Sequence, residues 1–120
     1  MSMFSCVIGA AAAALPVPLR PAPARGGAPC AVYRYRPGRS DGAMAAARLE
    51  VRVFARSAAE AAGALEGLRR AIVTDGDSGG IGTDGAALVV RETDEGGECG
   101  YVRGSGLYYM QTGFDIRGRA

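Results

Sequence analysis

The sequence predicts an α+β fold: a four-stranded, mostly antiparallel sheet with one main amphipathic helix packed on one face. Three observations point there. Apolar and charged residues alternate from Ala47 to Arg56 with Phe54 the one exception, a capped helical pattern follows at once from Ser57 to Val73, and two further strand-like runs lie near the C-terminus. An alternating strand that leads straight into an amphipathic helix must fold that helix back over its own apolar side. Strands and helices that do not alternate regularly belong to the α+β class rather than to a parallel α/β sheet.

The elements can be justified in order. Met3 to Leu15 is apolar and Ala-rich, lacks the basic start of a signal peptide, and is shorter than the roughly 20 residues of a membrane span. It reads as a short buried N-terminal helix. Pro16, Pro18, Pro21, Pro23 and Pro29 then exclude regular helix and favour an extended arm over residues 16–29. From Cys30 to Arg36, Ala31, Tyr33 and Tyr35 alternate with Val32, Arg34 and Arg36, a first strand candidate. The turn-rich run Pro37 to Gly42 joins it to the strand at Ala47 as a hairpin. In that second strand Leu49, Val51, Val53 and Ala55 point one way and Arg48, Glu50, Arg52, Phe54 and Arg56 the other; Phe54 is the large ring on the charged side.

The helix opens with Ser57 at the N-cap and Glu60 three residues on, the spacing of a capping box. Ala58, Ala61, Leu65, Leu68 and Ile72 form its apolar stripe. Glu66 and Arg70 stand in the favourable four-residue order, Arg69 and Arg70 complement the helix dipole, and Gly76 is a stop signal. Thr74 to Gly85 is a Gly- and Asp-rich loop. Strand character resumes from Ala86 to Thr93, breaks over the turn-rich Asp94 to Gly100, and returns from Leu107 to Arg117. There Tyr108, Met110, Thr112, Phe114 and Ile116 share one face, and Gly113 marks a bulge. The 120 residues suit one domain, divided into helix (1–15), arm (16–29) and α+β core (30–120).

Composition narrows the function classes. The chain has no His, which removes the commonest general base, the commonest metal ligand and every His-based triad together. All fourteen cations are arginines against twelve acidic residues, so the near-balanced total requires neither nucleic acid nor an anionic membrane. Planar guanidinium groups also suit bidentate contacts across protein interfaces. Cys6, Cys30 and Cys99 fit neither a disulfide framework nor a zinc site, and read as reduced thiols in a cytoplasmic setting.

Individual motifs fail on inspection. Gly76-Asp77-Ser78-Gly79-Gly80 resembles the nucleophile signature of trypsin-like serine proteases, but Ile81 follows where that family has proline, and a triad cannot be built without His. Asp75, Asp77 and Asp84 suggest a calcium loop, yet the twelfth position from Asp75 is Ala86, where an EF-hand needs Glu. A phosphate cradle lacks its lysine. Arg34, Arg36 and Arg39 with Tyr33 and Tyr35 interleaved are the best local case for nucleic-acid contact, extended by Arg52 and Arg56 but diluted by Glu50 and Asp41. The sheet face carrying Phe54 with Tyr and Arg side chains has the composition of a protein contact surface. Tyr33, Arg34, Tyr35, Arg36, Arg52, Phe54 and Arg56 are therefore the candidate subunit or partner interface.

Taken in order, these pieces resemble the tail-completion, or tail-terminator, family of long-tailed bacteriophages. The family pattern is an N-terminal helix, a Pro-rich stretch entering a strand, then strand, helix and two strands. Here those parts are Ala28-Pro29-Cys30-Ala31-Val32-Tyr33-Arg34, Leu49 to Arg56, Ser57 to Val73, and the closing Met110-Gln111-Thr112-Gly113-Phe114-Asp115-Ile116-Arg117. The resemblance implies a structural virion protein, not an enzyme, that needs no metal or other cofactor. It implies a homo-hexameric ring at the tail-neck junction, assembled in the host cytoplasm, that caps the head-proximal end of the tail tube, ends tube polymerisation and presents a surface to the head connector. Partners would be the major tail tube protein and connector or neck proteins; genome DNA would pass through without specific binding, and no membrane is involved. In such a ring Asp75, Asp77 and Asp84 would face the bore or a neighbour. The alternatives are a head-tail joining or minor capsid protein docked on the portal, and a small nucleic-acid-binding module.

Overall fold

A computed structural model describes residues 3–22, 28–39, 44–73 and 88–119, without the side chains of residues 3, 94–96 and 119. Within them the chain forms α1 (Met3–Ala14), β1 (Leu19–Pro21), β2 (Cys30–Pro37), β3 (Met44–Ala55), α2 (Ala58–Ile72), β4 (Leu88–Val102) and β5 (Leu107–Arg119). The fold is α+β with a mixed sheet in the order β1-β2-β3-β5-β4. This corrects the expected strand number among the described residues, which is five. The Pro-rich arm supplies the extra one: β1 pairs parallel to β2 over Ala31 to Tyr33, fastened by the Ala31 amide donating to the Pro18 carbonyl and the Ala22 amide to the Tyr33 carbonyl, each at 2.8 Å. Proline tolerates this place because β1 is an edge strand.

Both helices lie on one side. Leu49, Val51 and Val53 of β3, Phe114 and Ile116 of β5 and Val90 of β4 meet Leu68 and Ile72 of α2, all of them fully shielded from solvent. α1 completes this core with Val7 and Ala11, so the N-terminal run is a packed helix, as expected. On α2 the buried residues are Ala61, Ala64, Leu65, Leu68 and Ile72; Ala58, expected in the stripe, is exposed, and Ala64 joins it instead. The Ser57 hydroxyl accepts the Glu60 amide at 3.1 Å. At the other end the Val73 amide donates to the Arg69 carbonyl with Val73 extended; Gly76, the expected stop, lies outside the described residues.

A polar clasp locks α2 to the last two strands. Arg69 donates through Nε to both carboxylate oxygens of Glu92 at 2.8 Å and through Nη1 to Glu66 at 2.7 Å, while the buried Thr112 hydroxyl donates to Glu92 at 2.8 Å. The Arg69 hydrogen bond, seconded by that of Thr112, holds the Glu92 carboxyl below the usual glutamate range, and Glu92 in turn raises Arg69. Glu66 also meets Arg70 at 3.3 Å, the expected four-residue pair.

The largest departure from expectation is β4. The turn-rich run Asp94 to Gly100 is not a break: the strand continues through it to Val102, and the reversal falls at Arg103–Gly106, where Gly104 and Gly106 hold φ of 82° and 73°. The Gly- and acid-rich composition is absorbed by a register shift, with Thr93 opposite Gly113 and Glu98 opposite Gln111, so that four residues of β4 face Thr112 alone. The irregularity thus lies on β4, and Gly113 itself pairs regularly with Glu50 and Thr93.

Candidate protein-contact face

Pairing register fixes which side chains share the face opposite both helices, because residues directly opposite in an antiparallel pair point the same way. Arg34 lies opposite Glu50, Val32 opposite Arg52, and Arg36 opposite Arg48 on β2 and β3. Across β3 and β5, Arg52 faces Gln111 and Phe54 faces Tyr109; across β5 and β4, Tyr109 faces Gly100 and Gln111 faces Glu98.

At the centre stands Arg52. Its Nε donates to Gln111 Oε1 at 2.8 Å, its Nη2 to Glu98 Oε2 at 3.0 Å, and its guanidinium carbon sits 4.6 Å from the centre of the Tyr109 ring. These contacts fix a planar cation over an aromatic face, an arrangement worth about 0.5–1 kcal/mol where exposed. Tyr109 is pinned from two further sides. Phe54 approaches at 6.1 Å between ring centres, and the tyrosine ring lies across Gly100 so closely that a Cβ there would come within 2.8 Å of it. Glycine leaves a bare patch of strand, and a cross-strand aromatic covers it. Beside this cluster Arg48 reaches Glu50 at 3.6 Å and Asp115 at 4.0 Å.

The predicted interface residues separate into two groups. Arg34, Arg36, Arg52 and Phe54 share the face opposite the helices. Tyr33 and Tyr35 lie beneath the sheet, where Phe4 of α1 packs on them at 6.2 and 4.9 Å between ring centres, and burial raises the Tyr35 phenol above its ordinary value. The tyrosines and arginines that interleave in sequence therefore do not form one stacking and phosphate-binding surface; strand alternation sends them to opposite sides. Arg56 is exposed in the two-residue link between β3 and α2. Asp75, Asp77 and Asp84, like Asp41, fall outside the described residues.

The sequence reading missed Tyr109, Gln111, Glu98 and Gly100. Sequence parity puts Tyr109 and Gln111 on one face of the last strand but does not single them out as interface residues; Glu98 and Gly100 escaped altogether, because they fall where a turn was expected. Chemically this face offers a rigid aromatic and guanidinium surface suited to contact. Elsewhere, an apolar groove beside α2, lined by Ala14, Val17, Pro29, Ala55, Gly63 and Gly67 among others, has Glu60 as its sole charged lining group among the described residues. Among the described residues, no three His, Cys, Asp or Glu groups stand together as a metal site, and Cys6, Cys30 and Cys99 are unbridged. No protein-family model matches the chain, and no curated protein matches it.

Proposed function

We propose that this chain is a non-catalytic structural subunit of a phage virion. It forms an oligomeric ring on the head-proximal end of the tail tube, ends tube polymerisation and supplies the surface on which the head connector docks. The observation that carries this reading is the one-sided placement of both helices. It leaves an ordered face of arginine and aromatic groups, and β4 as a long edge strand. A small domain built this way has surfaces for neighbours on several sides. The order of helix, proline-rich arm, two strands, helix and closing hairpin is also the order on which the resemblance to tail-terminator proteins rests.

The nucleic-acid alternative is weakened by geometry, since Tyr33 and Tyr35 pack against Phe4 instead of flanking Arg34 and Arg36. Electron microscopy of tails assembled with and without this chain tests the proposal. Tubes of one length in its presence and of scattered length in its absence are expected; an unchanged length distribution would refute it.

A further inference from the structure

Followed from β2 to β4, the pairing register divides the face opposite the helices into two halves. In one half a single row reads Arg36, Arg48, Asp115 and Arg91 across the four strands. Arg34 stands two residues from Arg36 on β2, and Arg117 two residues from Asp115 on β5, so both belong to the same face. The other half is aromatic and apolar. Phe54 and Tyr109 share one of its rows, and Leu107 and Val102 the next.

Among the described side chains, the carboxylates of the arginine half are Glu50 and Asp115, and Arg48 engages both, at 3.6 and 4.0 Å. Arg34, Arg36, Arg91 and Arg117 are exposed, and none of them forms an ion pair with a described carboxylate. Arg36 also lies directly opposite Arg48, and like charges so placed oppose strand pairing. Within the described chain no carboxylate relieves Arg36; an anion from outside would.

The spacing of the row and the state of the neighbouring rings select the anion. From Arg36 to Arg91 is three strand spacings, about 14 Å at roughly 4.8 Å each. Over that length a DNA duplex presents about four phosphates on each strand, at roughly 3.4 Å of axis apiece, one for each unpaired guanidinium group. Bases find no platform beside them. Tyr109 already carries Arg52 on its ring and lies across Gly100, while Tyr33 and Tyr35 pack against Phe4 on the other side of the sheet. A single strand is thereby denied the stacking that ordinarily holds it, whereas a duplex keeps its bases inward and needs phosphate contacts alone. We propose that this arginine row is a binding site for the phosphate backbone of double-stranded DNA, indifferent to sequence and separate from the aromatic half of the face. The site goes beyond the ring reading and does not depend on it.

Fluorescence anisotropy of a short labelled duplex of mixed sequence, titrated with the purified chain, tests it. Four neutralised phosphates give a log–log salt slope of about −3.6, at roughly −0.9 each, so affinity should fall roughly 150-fold between about 50 and about 200 mM salt. A variant carrying Arg36→Gln and Arg91→Gln should bind at least about tenfold more weakly at the lower salt, with a slope near about −1.8. A second variant carrying Arg70→Gln and Arg103→Gln loses the same charge from α2 and from the hairpin turn, outside the row. It should keep the wild-type slope and affinity. Circular dichroism and urea unfolding establish that both variants fold. Absence of binding at the lower salt, equal losses in the two variants, or tighter binding of a single strand of the same length would each overturn the site. Tighter binding of poly-L-glutamate than of the duplex at equal charge would assign the row to an acidic protein instead, and so overturn it too. None of these results bears on tube length, so the ring reading stands or falls separately.

Discussion

Gly100→Ala is a surface substitution that should destabilise the chain through one ring. The added methyl would stand 2.8 Å from Tyr109 Cε1 and 2.9 Å from its Cζ and hydroxyl oxygen, distances that force the ring to move. Gly100 is regularly paired opposite Tyr109, so the backbone itself accepts alanine. Overpacking of this kind costs about 1–3 kcal/mol, and the lower part of that range applies because the face is open to solvent. Moving the ring also takes it from beneath Arg52, 4.6 Å away, a loss of about 0.5–1 kcal/mol. A total of roughly 1–2 kcal/mol follows, which lowers the urea midpoint by about 1 M at the slope expected for a small domain. In a Tyr109→Ala background the same change should be neutral or slightly stabilising, since a strand glycine is then replaced with nothing in the way. Equal destabilisation in both backgrounds would refute the assignment of the effect to the Tyr109 ring.

Other expectations follow from the core, the cap and the clasp. Leu68 is fully buried between α2 and the sheet, so Leu68→Ala should cost about 2–5 kcal/mol in chemical denaturation. Ser57→Ala removes the acceptor of the Glu60 amide and should cost about 1 kcal/mol, with Ser57→Asp restoring most of it. Glu92 has a folded-state pKa below its ordinary value of 4.5, so its contribution is complete above pH 4.5 and is lost as pH falls through the lower folded value. Being partly exposed, the clasp is worth about 0.5–1 kcal/mol. Glu92→Gln should therefore lower stability at neutral pH by that amount and flatten the acid limb of the stability profile below pH 4.5; an unchanged acid limb would show that the clasp is not formed in solution.

Local patterns carried much of the fold. The alternation of β3, the cap at Ser57 and the stripe through Leu65, Leu68 and Ile72 are set by neighbours in sequence, and they stand as read. What escaped was set by distant partners. β1 is three residues long and proline-bearing, and it exists only because β2 offers an edge. Asp94 to Gly100 has turn composition, but β5 holds it as strand, and Tyr109 fills the space that Gly100 leaves. Half of the candidate face was legible in the same way. Arg34, Arg36, Arg52 and Phe54 follow from strand parity, whereas the burial of Tyr33 and Tyr35 depends on Phe4, thirty residues away in a separate helix.

Growth of tail tubes in vitro tests the proposed role most directly. Tubes of the major tail protein from the same particle are incubated with this chain, washed, and offered fresh tube subunits, and the added length is measured at each end by electron microscopy. Growth stopped at one end, with a ring of density seated there, is the expected result. Continued elongation at both ends, with no bound density, would contradict it.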